Sequence, residues 1–136
     1  MKLSEIAVNA EAIETGRWVS VGQFLPGVRL KVRGADNTDC RRLRNKLIAE
    51  VPRAERIKGL DTKTSDAINA RLLAETVVVD WSGLEDDDGA PLPFSKGRAL
   101  EILSNPSFVV LKNAVEWAAA VVGEDDLAET EDASKN

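Results

Sequence analysis

The chain has 136 residues, one cysteine, no histidine, no tyrosine and a formal net charge of −5, with 43% apolar and 30% charged residues. This is the composition of one globular domain that needs no staple, and a lone cysteine excludes an internal disulfide and, with histidine missing, a zinc site. Without histidine the usual general base near neutral pH is gone, so neither catalysis nor a cofactor is expected.

The opening stretch, residues 1–15, mixes short apolar and acidic side chains and never reaches the apolar run of a signal peptide. No later run approaches the ~20 apolar residues of a membrane span, so a cytoplasmic protein is expected. Residues 16–34 predict a β-hairpin. Val28, Leu30 and Val32 alternate with Arg29, Lys31 and Arg33, the period of two of a strand with one buried face. Trp18, Val19 and Val21 supply the first strand. Pro26-Gly27 makes the turn, because proline presets φ at its first central position and glycine accepts the positive φ of the second.

Asp36-Asn37-Thr38 offers helix caps, and Cys40, Leu43, Leu47 and Val51 follow at helical spacing until Pro52 stops the helix. A loop with Gly59 leads to a second helix over Thr64–Val79, capped from Asp61, Thr62 or Thr64. Its last residues, Val77-Val78-Val79, favour strand locally, yet no breaker separates them from the helical pattern. Ser95 caps a short helix through Leu103. Asn105-Pro106 opens a final helix to about Val122, with Gly123 as the terminating glycine. The sum is a mainly α protein with a small N-terminal β-hairpin (α+β). It has four to five helices in one domain over 16–123 and an acidic disordered tail at 124–136.

Charge is distributed unevenly. Residues 41–58 hold seven basic side chains (Arg41, Arg42, Arg44, Lys46, Arg53, Arg56, Lys58) against Glu50 and Glu55, whereas the tail is acidic. The basic run lacks interleaved aromatics and any nucleic-acid motif, so a solvated face or a dock for an acidic surface fits better than nucleic acid. Glu85–Asp88 followed by Gly89 invites a calcium reading. With Gly89 at the sixth position of an EF-hand loop, Leu84 falls at the first ligand position and Ser95 at the twelfth, so the reading fails and a polar turn explains the residues. Cys40 lies on an apolar stripe and is expected to be a small core residue without chemistry.

The final helix has more apolar surface than one buried face requires. Phe108, Leu111, Val115, Ala118 and Val122 form one stripe, with Val110, Ala114, Trp117 and Val121 beside it. Such a helix is either the centre of its own core or the seat of a partner.

The order of elements resembles that of the tail assembly chaperones of long-tailed, siphovirus-like bacteriophages. The match rests on GRWVSV and GVRLKVRG, then on VVVDWSGLEDDDGAPLPFS, a short helix and a terminal helix. The resemblance implies a non-catalytic helper in the host bacterial cytoplasm, absent from the mature virion. It would bind and solubilise the tape measure protein and promote polymerisation of the tail tube protein, acting in several self-associating copies. The partner-binding surface would then include Trp81, Leu84, Pro93 and Phe94 of the central loop and Phe108, Leu111, Val115 and Trp117 of the last helix. The alternatives are a structural head–tail or tail component of the virion and a small nucleic-acid-binding regulator.

Overall fold

A computed structural model describes residues 1–124. In chain order the elements are α1 (Leu3–Ile6), α2 (Ala10–Thr15), β1 (Arg17–Ser20), β2 (Arg29–Val32), α3 (Thr38–Glu50), α4 (Arg53–Lys58) and α5 (Thr62–Leu72). A π-helical turn (Leu73–Val77), β3 (Val78–Ser82), α6 (Lys96–Leu103), a 3-10 turn (Pro106–Phe108) and α7 (Val109–Val121) complete it.

The four longer helices begin where local chemistry asks them to. The side chains of Asn37, Asp61 and Ser95 accept backbone N–H groups of Cys40, Thr64 and Arg98 at the starts of α3, α5 and α6, and Asn105 accepts that of Ser107 ahead of α7. Each bond satisfies a donor that the first turn of a helix leaves orphaned. The Pro26-Gly27 turn also forms, with Gly27 at φ 80° and the Val28 N–H donating to the Leu25 carbonyl at 3.1 Å.

The expected fold class needs correction on two counts. The sheet is a three-stranded antiparallel one, ordered β1-β2-β3, rather than a two-stranded hairpin. The described residues also contain three short helices, α1, α2 and α4, beyond those foreseen. The third strand comes from the segment assigned to the end of the second helix. After Leu72 the helix widens into the π turn, where the Thr76 hydroxyl donates to the Leu72 carbonyl at 2.6 Å, and the chain then leaves as β3. Local preference wins here because Val78 and Val79 are β-branched and β2 has a free edge to offer. Pairing β3 there satisfies backbone groups that a bare hairpin exposes. The acidic tail foreseen at 124–136 lies, from residue 125 on, outside the described residues.

The register aligns Val19 with Leu30 and Leu30 with Trp81, all buried, across the inner face of the sheet. At ~2 kcal/mol for each large side chain taken from water, this row anchors the sheet on the helices. Trp18, Lys31 and Asp80 form the corresponding outer row, and the Arg29 guanidinium lies 5.1 Å from the centre of the Trp18 ring. Opposite the inner row stand Leu72, Leu73 and Val77, Ala99 and Leu103 of α6, and Ala114, Val115 and Ala118 of α7. Asn37 joins the layers. Fully buried, it donates from Nδ2 to the carbonyls of Gly34 and Thr76, both at 2.8 Å, while its Oδ1 caps α3.

Candidate protein-binding surface

The stretch between β3 and α6 is held as a closed joint. The Trp81 indole N–H donates to the Leu92 carbonyl at 2.7 Å, and Phe94 meets the Trp81 ring edge-on at 4.9 Å and 87°. The Leu92 N–H donates to the Leu84 carbonyl at 2.9 Å, and the Pro93 carbonyl accepts from the Arg98 guanidinium at 2.6 Å. Gly83, at φ 91°, lies so close to the Gly27 carbonyl that a Cβ there would collide with it, which seats the joint against the turn of the hairpin. The acidic residues tie the tip. Asp86 Oδ1 accepts the N–H groups of Asp88 at 2.9 Å and Ala90 at 3.0 Å, the local bonding that makes aspartate a turn residue.

The eight residues foreseen as a partner surface therefore fall in different places. Trp81 is buried, Leu84 and Phe94 are half-buried against the core, and Pro93 is exposed. On α7, Leu111 and Val115 are core residues at 8% and 1% exposure. Trp117 is half-buried on the side facing the hairpin, where its ring lies 5.6 Å from that of Phe24. Phe108, at 47% exposure, stands in the open with Val109 and Val110 at 49% each.

Of these three, Val109 lines a groove of about 860 Å³ between α5, α6 and the start of α7. Ala67 and Ala70 of α5 form one wall, Leu100 and Leu103 of α6 the other, and Pro106 and Val109 close the end. Lys63, Asp66, Arg71 and Lys112 rim it. Two of these cations have internal partners, since Arg71 pairs with Glu75 at 2.6 Å and Lys112 with Glu116 at 3.8 Å. The hydrogen bond that Arg71 donates to the Glu75 carboxylate raises the pKa of Arg71, and that carboxylate also adds to the shift by its charge. An apolar trough with a charged rim is the form of site that accepts the apolar face of a helix. The groove was not foreseen from the sequence. Its signal was the small side chains Ala67 and Ala70, which open the wall of α5, together with Pro106, which fixes the entry to α7.

A second surface is electrostatic. On α3 the residues Arg41, Arg42, Asn45 and Lys46 share one exposed face, opposite the buried Cys40 and Leu47. Near its N-terminus the Glu14 carboxylate accepts the Thr38 N–H at 3.1 Å and the Thr38 hydroxyl at 2.9 Å. Those two bonds, aided by the charges of Arg33 and Arg41, lower the Glu14 pKa. Among the described residues no group of three or more His, Cys, Asp or Glu side chains is placed to hold a metal ion, and no helix is long and apolar enough to cross a membrane.

A family model described as YdaY prophage protein matches residues 35–136. The match spans α3 to α7 with β3, and so takes in both walls of the groove and the basic face. No curated protein and no solved structure matches the chain. With most of its length covered by that model, the chain belongs to the YdaY prophage protein family and is phage-derived.

Proposed function

We propose that the chain is a tail assembly chaperone: a non-catalytic protein of the host cytoplasm that binds the tape measure protein, keeps it in solution and promotes polymerisation of the tail tube protein. The observation that carries this reading is the open groove of about 860 Å³, lined at one end by Pro106 and the half-exposed Val109. An unassembled tape measure presents long helices with apolar faces. A small protein with a trough for one such face and a charged exterior can mask it when many copies bind along its length. Phage origin is consistent with that role.

The test is co-expression with the tape measure and tail tube proteins of the same phage, followed by pull-down. The chain should retain the tape measure and raise its soluble fraction, and Val109→Asp should lose retention while staying folded. If neither partner is retained and the tape measure is no more soluble, the reading is wrong. Mass spectrometry of purified particles gives a second check: a chaperone is absent, whereas a fixed copy number would make the chain a structural component of the virion.

A further inference from the structure

Residues 1–8 hold apolar side chains out in water. Leu3, Ile6 and Val8 are 82%, 59% and 58% exposed, and no residue of the segment is buried. Leu3 and Ile6, three apart in α1, share one face of its single turn. A lone turn of four residues has too few hydrogen bonds to hold itself in water, so it needs a surface to lie on.

The groove of its own chain is not that surface. The Asn9 N–H donates to the Gly123 carbonyl at 2.7 Å, which fixes the base of the segment beside the far end of α7. The groove takes its α7 wall from Val109 and Lys112, and Lys112 is about 16 Å from Gly123 at the helical rise. An exposed apolar turn and an open apolar trough therefore stand toward opposite ends of one helix. Complementary patches at different places on a molecule meet head to tail, between copies.

The charges fit such a contact and give it a direction. Lys2 and Glu5 are three residues apart beside the apolar face of α1, and Lys63 and Asp66 have the same spacing on the α5 rim of the groove; all four are exposed. The other rim charges, Arg71 and Lys112, already pair with Glu75 and Glu116. Lys63 and Asp66 enter no ion pair among the described residues, although Asp61 lies in the field of Lys63. With α1 antiparallel to α5, Lys2 meets Asp66 and Glu5 meets Lys63, whereas a parallel arrangement opposes like charges at both places.

We propose that residues 1–8 of one copy lie in the groove between α5, α6 and α7 of a second copy, with Leu3 and Ile6 in the trough and α1 antiparallel to α5. A partner helix with a longer apolar face displaces the segment, so self-association and partner binding exclude each other at one groove. The inference concerns the protein alone and does not rest on the chaperone reading.

Sedimentation velocity of the full chain tests it. The mean mass should rise above that of the monomer with concentration through the micromolar range. Ile6→Asp and Val109→Asp change exposed side chains, so each should fold and raise the dissociation constant about tenfold or more. An equimolar mixture of the two should associate more strongly than either alone, because it joins an intact segment to an intact groove. Glu5→Lys and Lys63→Glu should each weaken the contact, and the double variant should regain much of it. A monomer at every concentration, an association unchanged by Ile6→Asp or by Val109→Asp, or a mixture no more associated than its components overturns the inference. Tape measure retention is a separate readout, which Ile6→Asp should keep because its groove is intact.

Discussion

The joint between β3 and α6 and the entry to α7 look alike as sequence, since DWSGLEDDDGAPLPFS and SNPSFVV both set aromatic and apolar residues around proline. In the fold they are opposites. Trp81 turns inward, donates its indole N–H to the Leu92 carbonyl and meets Phe94 edge-on, whereas Phe108, Val109 and Val110 leave about half their surface in water. What separates them is the supply of partners. A strand ending at the sheet brings Trp81 over a core and a carbonyl within reach of its indole, while the 3-10 turn at Pro106–Phe108 opens beside an incomplete wall built of alanines. The lesson is that apolar composition marks both anchors and docking sites, and only burial tells them apart.

This contrast can be broken by substitution. Trp81→Ala should have the largest effect, about 4 kcal/mol of lost stability, because it empties a buried aromatic site and strands the Leu92 carbonyl. Denaturant unfolding measures it. A near-neutral result would show that the joint is not an anchor. Asn37→Ala should follow at roughly 3 kcal/mol, since it removes a helix cap and the donors of two buried carbonyls together. Asn37→Asp, which keeps the cap and loses those donors, separates the two contributions.

Glu14→Gln addresses acid sensitivity. The folded state lowers the Glu14 pKa below its ordinary 4.5, so its stabilisation is complete above that value and is lost as pH falls through the depressed one. Asp61, lowered by the N–H and hydroxyl of Thr64, acts with the same sign from its ordinary 3.8. Unfolding followed from neutral to acid pH should therefore show a shallower acid-side loss in Glu14→Gln than in the parent. An unchanged profile would remove Glu14 from the acid response. Val109→Asp should have the smallest effect on stability, within about 0.5 kcal/mol, because the side chain is already half in water. Unfolding of this variant would place Val109 with the anchors and dissolve the distinction between the two regions.

The match to a prophage family covers β3 and every long helix, and it begins at residue 35, after β2. The groove and the basic face thus both belong to the part of the chain that carries the family relationship.

The sequence by itself determined the features that short-range chemistry controls. Asn37, Asp61, Ser95 and Asn105 could be read as caps because a cap bonds two or three residues along the chain, and Pro26-Gly27 as a turn because φ is set residue by residue. Alternation in Val28–Val32 marked β2 for the same reason. Tertiary structure alone decided the rest. Val77-Val78-Val79 suits helix or strand, and the open edge of β2, far away in sequence, settled it by supplying hydrogen-bond partners. Whether an apolar residue of α7 became core or surface depended on which neighbours reached it: Val115 is buried in the core cluster, while Val109 lines an open groove and leaves about half its surface in water. Periodicity states which residues share a face, and packing states what that face touches.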